Sequence, residues 1–283
     1  GSDARKILLA VPSVLFGGLM DSAGWILGRL GYDFDYSVAK RIEPDFREVN
    51  LNIGAGRGHI RGFRSLDAFS VHYHKSLRAF GKHYVQYDLR KDILPFRDGT
   101  VSNIYASHVL EHVELDVVRS FFQDALRVLK PGGVLRVAVP DSHFLFRVSS
   151  FPNDYWSWNS AWSSRNPPSD SAMTQFDFLV QELVTSRFRF SANCSRPIAP
   201  ESLESKGYEE FIAEVEEGTW FNDSNTEWHV TPLDLTRLTD MAEAAGFRKI
   251  LESKPRASIS GRMQGMDFDR THPQMTLYVD CQK

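Results

Sequence analysis

The stretch VNLNIGAGRGHIRGFRSLD, residues 49–67, decides the fold. A short apolar run at 49–53 breaks off into Gly54-Ala55-Gly56-Arg57-Gly58, which reads as a strand running straight into a glycine turn. Glycines there let the backbone approach a ligand closely, and the start of whatever follows favours negative charge. The spacing is GxGxG. In a nicotinamide-binding GxGxxG the third glycine would fall at position 59, which is His59 here. The next apolar run, Phe63 to Asp67, ends in an acid, and a carboxylate at that place suits ribose hydroxyls.

Working outward, the run His83 to Asp88 also ends in an acid, and Val101 to Ala106 follows the turn residues Asp98-Gly99. Val118, Phe122, Ala125 and Leu129 recur at helical spacing until Pro131-Gly132-Gly133 stops them. Val134 to Val139 is nearly continuously apolar, as expected of a strand covered on both faces. Thr231-Pro232-Leu233-Asp234 reads as a capped helix start with proline at the first helical position. Leu235, Leu238, Met241 and Ala245 form that helix's stripe, Gly246 ends it, and Ile250-Leu251 and Thr276 to Cys281 supply two last strands. Alternating strands and helices imply an α/β fold with a doubly wound, mostly parallel sheet, built from 49–141 and 231–283. Residues 142–230 break the alternation and read as an aromatic-rich helical insertion over the C-terminal strand edge, forming an acceptor-binding or lid region. Residues 1–48 are left as an N-terminal arm.

The chain has 283 residues, 42% of them hydrophobic and 24% charged, which excludes disorder, collagen and coiled coil. A formal net charge of -3 and a pI near 6.3 argue against a general nucleic-acid binder. Cys194 and Cys281 are too few for a disulfide framework and lack metal-ligand spacing, so a reducing, cytoplasmic setting is expected and no metal. Arg5-Lys6 before ILLAVPSVLFGGLM (7–20) resembles a short signal peptide. Pro12 interrupts it and its length does not span a bilayer, so a buried or partner-facing arm is expected, with no membrane span. Gly1-Ser2 reads as a cloning remnant, and the arm is the candidate surface for a homodimer.

LNIGAGRG at 51–58, LD at 66–67, YDLRKDILPFRDGTVSNIYASHVLEHV at 87–113 and ALRVLKPGGVLRVAVPD at 125–141 resemble class I S-adenosylmethionine-dependent methyltransferases, the methyltransferase type 11 branch in particular. WHVTPLDL and AGF, within 228–247, resemble them weakly. The resemblance implies a Rossmann-like methyltransferase sheet with S-adenosyl-L-methionine as cofactor. It implies that Gly54, Ala55 and Gly56 line the methionine and ribose, that Asp67 holds the ribose hydroxyls, and that Asp88 with Leu89 meets the adenine. Ser107 and His108 would face the reacting sulfonium. The chain departs from the family in one respect: the connection from Gly58 to Asp67 is too short for the full helix usual there.

Transfer to a hydroxyl needs positioning and a base poised near neutrality. His108, His143 and His229 are the candidate bases, with Asp141 as an orienting or alternative base. Each also reads as an ordinary structural residue, and His112 as a histidine that fixes the backbone at a helix start. Arg57 and Arg147 suit a substrate phosphate or carboxylate. The rings of Tyr155, Trp158 and Trp162 suit an acceptor wall or, equally, the insertion's own core. Asn166-Pro167-Pro168-Ser169 lacks the aromatic of an amino-methylating motif and reads as a loop. Two functions stand: methyl transfer to a hydroxyl of a small molecule or glycan, as in surface-polysaccharide or secondary-metabolite biosynthesis, or a non-catalytic methyltransferase-like scaffold of a biosynthetic complex.

Overall fold

A computed structural model describes residues 48–56, 60–68, 84–157, 173–191 and 194–283. Seven strands form one sheet: β1 (Val49–Ile53), β2 (Arg64–Asp67), β3 (Tyr84–Gln86), β4 (Val101–Ser107), β5 (Leu129–Pro140), β6 (Lys249–Ser253) and β7 (Thr276–Gln282). Their order is β3-β2-β1-β4-β5-β7-β6. β7 runs antiparallel to both of its neighbours, and the other pairs are parallel. The sheet is therefore Rossmann-like and mostly parallel. The order turns back at β1, so the crevice beyond the ends of β1 and β4 is where a ligand fits an open α/β sheet.

One face is covered by α1 (Leu115–Val128) and α6 (Leu235–Ala245). Val118, Phe121, Phe122 and Ala125 of α1 and Leu238, Met241 and Ala242 of α6 bury against Leu51, Ile53, Ile104, Leu135 and Val137. α6 starts later than the sequence suggests. Asp234, not Thr231, is its N-cap and accepts from Arg237 N, while Thr231 donates its hydroxyl to Val113 O at 2.7 Å. Gly246 closes the helix at φ 105°, as expected of a left-handed cap.

On the other face, the described residues 60–63 of the β1–β2 connection make only a tight turn. Ile60 and Phe63 from that turn, with Met263 and Phe268 from the β6–β7 connection, pack on Tyr105 and Val134. A buried polar knot anchors that connection. Arg136, fully buried within the apolar run of β5, pairs with Asp269 at 2.7 Å and Asp280 at 2.9 Å and donates to Lys254 O. Asp280 also accepts from Ile259 N and Ser258 Oγ, and Asp269 from Arg256 N and Tyr105 Oη. A buried guanidinium persists only when its charge and donors are matched in this way.

In the segment between β5 and α6, α2 (Ser142–Ser149), α3 (Gln175–Leu183), α4 (Pro200–Ser205) and α5 (Tyr208–Glu216) gather round a separate apolar cluster that includes Leu145, Trp156, Phe178, Leu183 and Phe211. Tyr208 Oη ties it to α6 by contacts to Asp234 and Ser142 of 2.5 and 2.6 Å. Among the described residues, no helix is long and apolar enough to cross a membrane.

Candidate active site

The ends of β1, β2 and β4 lie side by side, and the site grows from them. After Ile53 the chain turns through Gly54 at φ 62° and Gly56 at φ 53°, a region that side chains rarely adopt. The two glycines differ in what they face. A Cβ on Gly54 would lie 2.3 Å from Val109 Cγ2, so this residue is pressed against the chain leaving β4. Among the described residues, a Cβ on Gly56 would meet only Gly54 O, at 3.9 Å. At the end of β2, Asp67 Oδ2 accepts from Gly56 N at 2.6 Å, locking turn and acid together. Burial raises the Asp67 pKa above its ordinary value, against the amides of Gly56 and Ala68 and the nearby charge of His112. A glycine backbone with a carboxylate beside it fits the ribose and methionine portion of S-adenosylmethionine.

Asp88 lies two residues beyond β3. Its Oδ1 takes Arg90 N at 3.0 Å and its Oδ2 is 2.9 Å from Lys91 Nζ, so the carboxylate already organises its own turn. Leu89 packs on the core.

Ser107 ends β4, and His108 follows at φ 50° with its amide held by Ala138 O. A non-glycine residue in that conformation costs on the order of 1 kcal/mol and marks a constrained site. It bends the chain into a single 3-10 turn, Leu110–His112. His108 Nε2 contacts Thr276 Oγ1 at 3.0 Å, and Nδ1 lies 3.2 Å from Glu111 Oε1. That second contact is an ion pair when the ring carries both protons, but it lacks the alignment of a hydrogen bond. Neither Glu111 oxygen has a hydrogen-bond partner among the described residues. Burial pushes the Glu111 carboxyl up, yet His108, His112 and His229 outweigh it and hold the group near 2.

His229, 121 positions after His108, reaches the same cluster because Val230 N and Thr231 N both donate to Glu111 O. The His112 and His229 rings meet edge to face at 4.9 Å. Burial brings His229 down to about 4, with the charge of His112 adding to the effect. Glu182, partly accessible but crowded by protein, is pushed up to about 7 by burial; the charge of His108 opposes this and that of Glu111 adds to it. The His272 ring stands 6.1 Å from that of His108.

The remaining predicted residues lie elsewhere. Asp141 caps α2 through Phe144 N at 3.0 Å, and burial raises its pKa. His143 is exposed, with its ring against Tyr208, and Arg147 is exposed on α2. Tyr155 donates to Gln274 O and packs on Phe144, while Trp156 beside it is in the apolar cluster. Arg57, Trp158, Trp162, residues 166–169 and the N-terminal arm lie outside the described residues. Sequence reasoning missed Glu182, His272 and Thr276. The signal for Glu111 was present in SHVLEHV, but i and i+1 neighbours on a regular helix do not share a face. The tight turn instead sets residues three apart over one another, which places His108 beside Glu111.

Residues 51–137 match the family model described as a methyltransferase domain. No curated protein sequence matches the chain. Among solved structures, the chain is similar to an S-adenosylmethionine-dependent methyltransferase from Archaeoglobus fulgidus (12% identity, 96% of this chain and 97% of that one, TM-score 0.42). A second, from Mesorhizobium loti, shares 15% identity over 88% of this chain and 97% of that one, with a TM-score of 0.42. A third, from Thermotoga maritima and described as a possible histamine N-methyltransferase, shares 14% identity over 94% and 96%, with a TM-score of 0.41. Likeness at that level carries no argument about chemistry, which rests on the residues themselves.

Proposed function

We infer the function from one premise: the chain carries a methyltransferase domain across residues 51–137, a family whose cofactor is S-adenosylmethionine. We propose that it methylates a hydroxyl of a small molecule or glycan in the cytoplasm. The observation that carries this reading is the glycine turn at the end of β1, whose Gly56 N is held by Asp67 at the end of β2 and whose Gly56 Cβ position meets only Gly54 O among the described residues.

When bound, the cofactor supplies a methyl group on a sulfonium, open to in-line attack. Gly54, Ala55 and Gly56 bind its methionine and ribose by backbone, and Asp67 accepts the ribose hydroxyls. Asp88 and Leu89 border the adenine, with Asp88 sharing its carboxylate with Lys91. Ser107 and His108 face the reacting end. His108 is the proton acceptor of the reaction, at Nδ1, with Thr276 fixing the ring through Nε2 and Glu111 stabilising the charged imidazole. Asp141 and His143 are the weaker candidates, since one caps a helix and the other is exposed. The segment 142–230, with Arg147, Tyr155, Trp158 and Trp162, is assigned to acceptor recognition.

The test is transfer of labelled methyl from S-adenosylmethionine to a panel of sugar nucleotides, glycan fragments and small phenols, with mass spectrometry of the product. An O-methylated product is expected, and its loss in His108→Ala with cofactor binding intact supports the assigned base. Product on nitrogen or carbon overturns the hydroxyl reading. Absence of saturable cofactor binding leaves the scaffold reading standing.

A further inference from the structure

Glu111, His112 and His229 turn a carboxylate oxygen and two ring nitrogens into one space, all within 4.8 Å of one another. We propose that these three residues bind one divalent transition-metal ion of the zinc class.

Four observations carry the proposal independently of the methyl-transfer reading. The first is the fixed tautomer of both rings. His112 Nδ1 lies 3.1 Å from Trp228 O and His229 Nδ1 lies 2.5 Å from Glu182 O. A carbonyl oxygen only accepts, so Nδ1 carries the proton in each ring and the lone pair sits on Nε2. That is how a backbone carbonyl orients an imidazole for a metal. The second is the state of Glu111, which is 2% exposed with no hydrogen bond to either oxygen among the described residues. Buried carboxylates persist when paired or coordinated, and His108 Nδ1, 3.2 Å from Oε1, makes no aligned hydrogen bond to it. The third is spacing. His112 Nε2 and Glu111 Oε1 are 4.0 Å apart, too far for a hydrogen bond, and a modest inward shift of the side chains brings both within about 2.0–2.2 Å of one ion. The fourth is rigidity: Val230 N and Thr231 N clamp the His229 segment onto Glu111 O at 2.7 and 3.1 Å.

Two imidazoles and one carboxylate suit zinc, iron or cobalt better than magnesium or calcium, which prefer oxygen alone. Three protein ligands leave coordination positions open, as in catalytic rather than structural sites.

The experiment adds Co2+ to chelator-treated protein and follows the visible absorption bands, with Zn2+ as competitor. Saturation at one equivalent with micromolar or tighter affinity is expected. His229→Ala and His112→Ala should each weaken binding on the order of 100-fold, while Cys194→Ser changes nothing. No saturable binding, or unchanged binding in the His112→Ala/His229→Ala double variant, overturns the proposal. Should that variant fail to melt cooperatively, the Co2+-loaded wild type answers by NMR. Paramagnetically shifted Nδ1 protons from two imidazoles are expected, and their absence overturns the site.

Discussion

Replacing Gly54 and Gly56 by alanine, one at a time, separates folding from cofactor binding within a single turn. Both residues have positive φ, so each alanine pays about 1–2 kcal/mol for the left-handed conformation. Only Gly54 adds a clash. Its new Cβ would lie 2.3 and 2.5 Å from Val109 Cγ2 and Cβ, where carbon atoms pack at about 3.5–4.0 Å. Forcing a methyl into a filled space costs a further ~1–3 kcal/mol. Gly54→Ala should therefore lose about 2–5 kcal/mol, on the order of 10 °C in melting temperature for a chain this long. Gly56→Ala should lose about 1–2 kcal/mol, only a few degrees, because its Cβ meets nothing nearer than 3.9 Å. That same Cβ enters the space assigned to the ligand, so S-adenosylhomocysteine affinity should fall by about tenfold or more (about 1.4 kcal/mol). Thermal melts and calorimetry on both variants decide the matter. A Gly56→Ala protein that binds the ligand normally, or a Gly54→Ala protein as stable as the wild type, refutes this reading of the turn.

Three further outcomes are expected. Arg136→Met strands Asp269 and Asp280 in the interior and should cost about 3–5 kcal/mol in denaturant unfolding; a cost under about 1 kcal/mol would show that the carboxylates find other partners. Trp156→Ala, which removes a ring stacked on Phe178 at 5.8 Å, should cost about 3–5 kcal/mol and leave cofactor affinity unchanged, whereas weakened binding without destabilisation would place the ring in the site. Arg189 and Thr174 outweigh burial and lower the Asp177 pKa, so its stabilisation is present above the ordinary value near 3.8 and fades as pH falls through the folded value. Asp177→Asn should flatten that acid dependence in urea midpoints, and an unchanged slope would contradict the pairing.

How much was legible in the sequence follows from how local each signal is. The glycine turn, the acid at Asp67 and the strands at 101–106 and 134–139 rest on neighbouring residues, and the structure has them as expected. The start of α6 was misplaced; Thr231 donates its hydroxyl to Val113, a partner 118 positions away. Arg136 was hidden inside an apolar run, and its two partners lie more than 130 positions downstream. The short β1–β2 connection announced a missing helix, but not that the β6–β7 connection would cover the exposed face. Around His108, the motif supplied Glu111 and His112, while His229, Glu182 and Thr276 arrive from segments whose proximity depends on tertiary packing. In the segment 142–230, aromatic density left an acceptor wall and a core equally open, and Trp156 fills a core.

The central claim, a cofactor site built on the glycine turn and Asp67, is tested most directly by calorimetric titration of the whole protein with S-adenosylmethionine, repeated on Asp67→Ala. The account predicts saturable binding at one site, weakened by about 1–3 kcal/mol when the carboxylate is removed. No saturable binding to the wild type, or equal affinity in the two proteins, would contradict it.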